Sequence, residues 1–237
     1  MGRSDAGLVA FGPLLPATFV ARPNRFLIIA RRGRQRILAA CRDPGRLEAL
    51  LLPGVELRLM RARPGRRRTG FDVALVRCGR AWTSLIPVLA NRILEAAIAA
   101  GPVPGLRGAR VLAREPRHGK GRFDFRIAHR GRRVLTEVKS VGLVVEGRAL
   151  FPDAPTVRGT RHVRALARHA RRGGSGLLVF VAQRPDAASV APSRAIDPDF
   201  ARALTEARRS GVRLLAFNCD VSPAGCRLRE RIPVVLR

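Results

Sequence analysis

Between positions 17 and 87, apolar residues recur in short runs separated by turn residues, which is the pattern of β-strands. The run 55–60 follows the turn Pro53-Gly54 and alternates apolar and polar residues, as a half-buried strand does. Similar runs predict strands at 26–30, 36–40, 71–77 and 81–86. This density of short strands favours a five-stranded oligonucleotide-binding-like β-barrel, with another small β-domain as the alternative.

After Pro87 the pattern changes to mixed α/β. Apolar spacing predicts a helix over 88–100, a second over 159–172, and a third that Asp197-Pro198 begins and Gly211 ends. Strands are predicted at 110–113, 122–128, 133–140, 177–182 and 212–217. We therefore predict two domains, a barrel over 1–87 and a mixed-sheet α/β domain over 88–237.

The charge of the chain points to a polyanionic partner. Its 237 residues include 46 Lys+Arg against 17 Asp+Glu, a formal net charge of +29, and all but Lys120 and Lys139 of the basic residues are arginines. A GC-rich genome explains arginine in place of lysine but not the shortage of acids. Nucleic acid is the expected partner. Trp82 is the only tryptophan and tyrosine is absent, which favours binding to a duplex or to the nucleic-acid backbone over binding to single strands, whose bases stack on aromatic side chains.

Other classes of protein are excluded or disfavoured by composition. With 46% apolar residues the chain is not a disordered tail, and no segment has the length and apolarity of a membrane span. The cysteines form no C-x-x-C pair, and residues 1–21 are a weak secretory signal. A cytoplasmic location without membrane association is therefore expected, while the oligomeric state is left open.

One segment carries candidate chemistry. If Arg130-Gly131 is the two-residue turn of a hairpin, Asp124 falls opposite Glu137, and Lys139 shares their face. Opposed carboxylates repel unless a cation lies between them. Mg²⁺ prefers such oxygens and also binds phosphates, so the trio suits metal-dependent phosphodiester hydrolysis, with Lys139 orienting or deprotonating the attacking water. The alternative is a surface hairpin with a Glu–Lys pair.

Two basic segments are candidate DNA contacts. The helix predicted at 159–172 carries arginines at helical spacing and no acid, so it is either a phosphate-binding stripe or a solvated face. His162 could bind phosphate or pack in the core. The second segment, 61–68, is a DNA-contacting loop or a flexible turn. The candidate nucleic-acid-binding residues are Arg158, Arg161, Arg164, Arg168, His162, Arg66, Arg67 and Arg68.

Several motifs resemble those of the bacterial and archaeal sugar fermentation stimulation protein family. They are Glu137-Val-Lys-Ser-Val141, Phe151-Pro-Asp-Ala154 with Thr156, Arg158-Gly159 and His162, and, upstream, Arg22-Pro-Asn-Arg-Phe-Leu27 and Gly45-Arg-Leu47 followed by Pro53-Gly54. The resemblance implies an oligonucleotide-binding-like barrel and a restriction-endonuclease-like PD-(D/E)xK domain. It also implies DNA binding without sequence preference and a role in regulating sugar (maltose) metabolism.

The resemblance also assigns site residues. The nuclease-like motif falls on Asp124, Glu137 and Lys139, with Glu95 as the accompanying helix acid and Mg²⁺ or Mn²⁺ as the metal if the site is active. One departure concerns the loop that in relatives is of His-x-Pro-Asn-Thr-Gly type. Here it is Ala40-Cys-Arg-Asp-Pro-Gly45, which lacks the His and the Asn. The sequence thus predicts a non-specific DNA-binding protein, with a metal-dependent nuclease as the alternative and an RNA-binding protein as a third interpretation.

Overall fold

The first domain is a closed β-barrel. The computed structural model describes residues 6–62, 68–119 and 121–237. The strands up to residue 84 are β1 (Val9–Ala10), β2 (Leu14–Asn24), β3 (Leu27–Arg32), β4 (Gln35–Ala40), β5 (Glu56–Arg61), β6 (Phe71–Cys78) and β7 (Ala81–Ser84). The sheet has the order β4-β3-β2-β5-β6-β7, and an additional pairing of β4 with β6 closes five of these strands into the predicted barrel.

A long bent strand shapes the barrel. The first part of β2 pairs with β5 and its second part with β3, and the β2–β3 pairing shifts register between Phe19 and Ala21. Such irregularities bend a strand, which lets one strand serve two sides of a small barrel. Inward-facing Ile28, Leu57 and Leu59 are fully buried in the barrel core.

The second domain is a seven-stranded mixed sheet between helices. Its elements are α1 (Leu89–Ala100), β8 (Arg110–Arg114), β9 (Arg117–His118), β10 (Gly121–Arg122), β11 (Phe125–His129), β12 (Arg132–Val141), β13 (Val144–Val145), β14 (Arg148–Phe151), α2 (Val157–Arg171), β15 (Ser175–Ala182), β16 (Ser189–Pro192), α3 (Pro198–Arg209), β17 (Arg213–Ser222) and β18 (Gly225–Ile232). The strand order is β1-β18-β17-β15-β12-β11-β8, with β12, β15 and β17 parallel. The predicted fold class, a barrel followed by a mixed α/β domain, is confirmed.

The helices cover both faces of this sheet. Leu89, Ile93 and Leu94 of α1 pack on one face, and apolar residues of α2 and α3, including Leu166 and Phe200, pack on the other. As predicted, Asp197 caps α3, with its Oδ1 accepting a hydrogen bond from Phe200 N at 2.8 Å. No helix among the described residues is long and apolar enough to cross a membrane.

The beginning of the chain corrects the predicted division of the sequence. The prediction assigned residues 1–87 to the barrel, but β1 pairs antiparallel with β18, at the edge of the second domain's sheet. The two domains also share a core, in which Trp82 of the barrel belongs to the same buried cluster as Leu89 of α1. A hydrogen bond from Gln183 Nε2 to the Ile86 carbonyl, 3.1 Å long, reinforces this contact. The two domains are therefore packed tightly together.

Candidate functional site

The candidate site lies on the β11–β12 hairpin. Arg130 and Gly131 both have positive φ angles, 51° and 71°, as a two-residue type I′ turn requires. The ladder pairs Phe125 with Thr136, which is the register that the sequence predicted. Asp124 immediately precedes β11, so the turn places it at the level of Glu137.

Asp124 is a half-buried carboxylate held by two donors. Asn91 Nδ2 of α1 donates to its Oδ1 at 2.8 Å, and the backbone N of Val138 donates to its Oδ2 at 2.7 Å. Burial and the negative charge of Glu137 raise the pKa of Asp124 more than these hydrogen bonds and Lys139 lower it. The two carboxylates therefore interact, as expected from the hairpin.

Glu137 is almost completely buried, with 3% of its surface exposed. Its Oε1 accepts a hydrogen bond from Lys139 Nζ at 2.6 Å and lies 2.7 Å from His162 Nδ1 of α2. Burial raises the pKa of Glu137, but the His162 hydrogen bond and the Lys139 charge outweigh burial, so the pKa is lowered. Its other oxygen, Oε2, is buried and has no hydrogen-bond partner among the described residues.

These groups open into a cavity of about 420 Å³ between the two domains, which we call the interdomain cavity. Arg25 and the loop residues Asp43, Pro44 and Gly45 line it from the barrel. Asn91, Asp124, Glu137, Lys139, Asp153 and Arg158 are among the residues that line it from the second domain. The loop that departs from the family pattern therefore forms one wall of the candidate site.

A second acidic pair crosses the domain boundary in this cavity. Burial and the nearby Asp153 raise the pKa of Asp43 to about 6, although the Gly45 N–H and Arg22 oppose that shift. Arg22 fixes the loop by donating to the carbonyls of Asp43, Gly45 and Arg46. A Cβ added to Gly45 would lie 1.8 Å from Asp153 Oδ2, so a larger residue at this position would force the Asp153 side chain to move.

Two sequence models together cover most of the chain. The model described as "Sugar fermentation stimulation protein RE domain" matches residues 88–225, and the one described as "SfsA N-terminal OB domain" matches residues 20–85. The chain belongs to the sugar fermentation stimulation protein family. The resemblance predicted from the sequence motifs is thereby confirmed.

Relatives in this family match the chain over nearly its whole length. A sugar fermentation stimulation protein homolog of Moorella thermoacetica is 44% identical over 94% of this chain and 97% of its own. A homolog of Chloroflexus aurantiacus is 40% identical, over 94% and 86% respectively. The solved structure titled "The structure of Pyrococcus Furiosus SfsA in complex with Ca2+" is 28% identical, with a TM-score of 0.88, and the match covers 96% of this chain and 98% of that chain.

Of the residues that the family motif predicted, Asp124, Glu137 and Lys139 meet in the interdomain cavity, but Glu95 does not join them. Both oxygens of its carboxylate accept the single Nε–H of Arg114, at 2.8 and 3.0 Å, and Glu95 does not line the cavity. Asn91, one helical turn earlier on α1, contacts Asp124 instead. The placement of Glu95 as a third metal ligand is therefore not supported by its contacts.

The predicted basic residues divide into four groups. Arg158 lines the interdomain cavity, whereas Arg161, His162 and Arg168 line a second, adjoining cavity. Arg164 donates to Asp199 of α3 at 3.2 Å, so this member of the stripe has a structural partner. The remaining predicted residues are on the basic loop: Arg68 is exposed and lines neither cavity, and Arg66 and Arg67 lie outside the described residues.

Sequence reasoning missed several residues of the site. Asn91 lies one turn before Glu95, and that spacing was the available signal for its position on the same helix face. Asp43 and Asp153 were named only as parts of motifs, because their proximity depends on how the two domains pack. His118 and His169 had no sequence signal that joined them, yet their rings lie 4.8 Å apart.

Proposed function

We propose that this protein binds DNA without sequence preference and hydrolyses its phosphodiester bonds with Mg²⁺ or Mn²⁺ held by Asp124 and Glu137. The observation that carries the proposal is the convergence of these carboxylates with Lys139 in one cavity. Within it, Glu137 Oε2 is buried without a partner among the described residues. A buried carboxylate oxygen left in this state is costly, and a cation would satisfy it.

The donor set fits a hard divalent cation. In the described part of the chain no cluster of three or more His, Cys, Asp or Glu side chains is arranged to hold a metal. Two carboxylates still suffice for Mg²⁺, which is commonly bound by one or two carboxylates, waters and substrate phosphates. The Pyrococcus furiosus relative, described as a complex with Ca²⁺, supports a cation site in this family. When bound, the metal would stabilise charge on phosphorus and lower the pKa of a coordinated water.

The chain's own side chains supply position and charge. Lys139 donates one of its three N–H groups to Glu137, which leaves the others free to orient a water or a phosphate oxygen in the cavity. His162 contacts the same oxygen of Glu137 and thereby fixes the carboxylate. Arg158 lines the same cavity and can bind the scissile phosphate.

DNA is the proposed substrate because charge dominates the surface. The formal net charge is +29, and phosphate contacts from arginine supply binding that is independent of sequence. Among the ten phenylalanines and the single tryptophan, only Phe26 is exposed. A platform for stacking several successive bases is therefore absent from the described residues, which favours the duplex backbone as the contact.

A second candidate function is DNA binding without hydrolysis, in a regulatory role of the kind that the family name suggests. The contacts of Glu137 Oε1 favour it, because both Lys139 and His162 are directed at that oxygen, as in a structural ion-pair network. In this case the site would stabilise the hairpin and the arginines would carry the function. The two candidates differ in one measurable property, which is divalent-dependent cutting.

The test incubates the purified protein with supercoiled, linear and single-stranded DNA in Mg²⁺, Mn²⁺ or EDTA. We expect cutting in either metal, none in EDTA, and loss of cutting in Lys139→Ala and in Glu137→Gln. Glu95→Gln is the matched control, since Glu95 is paired with Arg114 outside the cavity, and it should cut like the wild type. DNA binding without any cutting, in a protein whose circular dichroism is native, would overturn hydrolysis and leave the regulatory candidate.

A further inference from the structure

A second cavity of about 420 Å³ adjoins the candidate site, and we call it the histidine cavity. His162 and His169 of α2 line it on one side and His118 of β9 on the other, with the buried Phe123 also in its wall. His162 connects the two cavities, because its ring lines this one while its Nδ1 contacts Glu137 in the interdomain cavity.

The arginines of this cavity differ from others on the same helix. Arg164 and Arg171 are paired with Asp199 and Glu206 of α3. In contrast, Arg161 and Arg168, which line the histidine cavity, have no carboxylate partner in the described ranges. Like charges gathered in one concave site repel, so the arrangement is unfavourable until an anion enters.

The cavity walls are held in place before any ligand binds. The rings of His118 and His169 meet edge to face at 4.8 Å, and Phe123 packs against His118 and His162 at 5.7 and 5.9 Å. A Cβ on Gly174 would lie 2.3 Å from the His169 ring, so glycine leaves the space that this ring occupies. Rigid donors of this kind lose little entropy when they bind a ligand.

We propose that the histidine cavity binds the terminal phosphate of a nucleic-acid strand. This inference rests on the proposed function and names the substrate feature beside the same site. A phosphomonoester carries up to about two negative charges and three free oxygens, whereas a backbone diester carries one charge and is flanked by sugars on both sides. Several cationic and imidazole donors around one pocket suit the terminal group better. The contact of His162 with Glu137 would place that strand end directly beside the proposed catalytic carboxylates.

The experiment measures equilibrium binding by fluorescence anisotropy in EDTA, where no hydrolysis occurs. It uses oligonucleotide duplexes of one sequence that end in a 5′-phosphate, a 3′-phosphate or only hydroxyl groups. We expect one phosphorylated end to bind about tenfold more tightly than the hydroxyl end, an effect of about one charge-assisted hydrogen bond. Inorganic phosphate at constant ionic strength should remove this gain.

Two double variants of equal charge identify the pocket. Arg161→Gln with Arg168→Gln should abolish the preference, while Arg164→Gln with Arg171→Gln removes the same charge from α2 and should retain it. All four arginines are exposed, so neither variant is expected to unfold the protein. Equal binding of all three duplexes by the wild type, or equal loss of preference in both double variants, would overturn the proposal.

Failure of the pocket and failure of the proposed function are separable. The binding preference needs no metal and persists even if the protein cuts no DNA. Conversely, cutting of closed circular DNA needs no strand end and persists even if terminal phosphates are not recognised.

Discussion

Replacing Asp43 by Asn removes a carboxyl group whose ionisation the folded protein disfavours. Burial and the negative charge of Asp153 raise the pKa of Asp43 from 3.8 to about 6, and the Gly45 N–H and Arg22 oppose this shift only in part. Between about pH 4 and pH 6, Asp43 is therefore more fully protonated in the folded state than in the unfolded state. The stability that this group contributes is present below about pH 4 and is lost as the pH rises through 6.

The size of the effect follows from that shift. About two pKa units correspond to about 3 kcal/mol of differential stability, at 1.36 kcal/mol per unit. The amide of Asn keeps an oxygen that can accept the hydrogen bond from Gly45 N, which is 2.9 Å long in the wild type. We therefore expect Asp43→Asn and wild type to be similarly stable near pH 4, and the variant to be more stable by up to about 3 kcal/mol at pH 7.

Urea denaturation at pH 4, 5, 6 and 7, followed by circular dichroism, measures this difference directly. Asp199→Asn is a control, because Asp199 is an exposed acid paired with arginines outside the domain interface. Parallel stability curves for wild type and Asp43→Asn across this pH range would show that the reasoning about burial at the interface is wrong.

Three further predictions concern different parts of the molecule. The logarithm of DNA affinity should fall linearly with the logarithm of salt concentration, by about 0.9 per phosphate contacted, and an affinity insensitive to salt would contradict electrostatic binding. Thr156→Ala, which removes the N-cap of α2, should lower the free energy of unfolding by about 1 kcal/mol in urea titrations, whereas an unchanged midpoint would show that water replaces the cap. Phe180→Ala, at a fully buried position of β15, should cost about 3–5 kcal/mol by the same measurement, and a loss below about 1 kcal/mol would refute tight packing there.

The elements with a strong local pattern were predictable. The third helix follows from Asp197, Pro198 and Gly211, which act through local cap geometry, and Arg130-Gly131 sets the hairpin register in the same local way. By contrast, no strand was predicted at β18, because its arginines and Glu230 interrupt the apolar pattern that indicates a strand. Its pairing with β1 joins residues from opposite ends of the chain, and no local pattern reports such a contact.

The candidate site was predictable only where one element contains it. Asp124, Glu137 and Lys139 lie on a single hairpin, so strand alternation was enough to bring them together. Glu95 was assigned by motif, but Arg114 competes for its carboxylate, and an ion pair between separate elements cannot be read from spacing. Asp43 and Asp153 meet only because two domains pack at Gly45.

The pairing of β1 with β18 makes the barrel an insertion within the second domain rather than an appendage in front of it. The chain leaves the second domain's sheet after Ala10 and returns to the second domain at Leu89, the start of α1, so two covalent connections anchor the barrel. A body attached at two points cannot swing on a single hinge, which restricts how far the wall formed by the barrel can move from the β11–β12 hairpin. A DNA strand bound there, as proposed, must therefore fit a gap whose width is largely set in advance. Removal of the segment up to Phe11 would expose the backbone edge of β18 and favour intermolecular strand pairing.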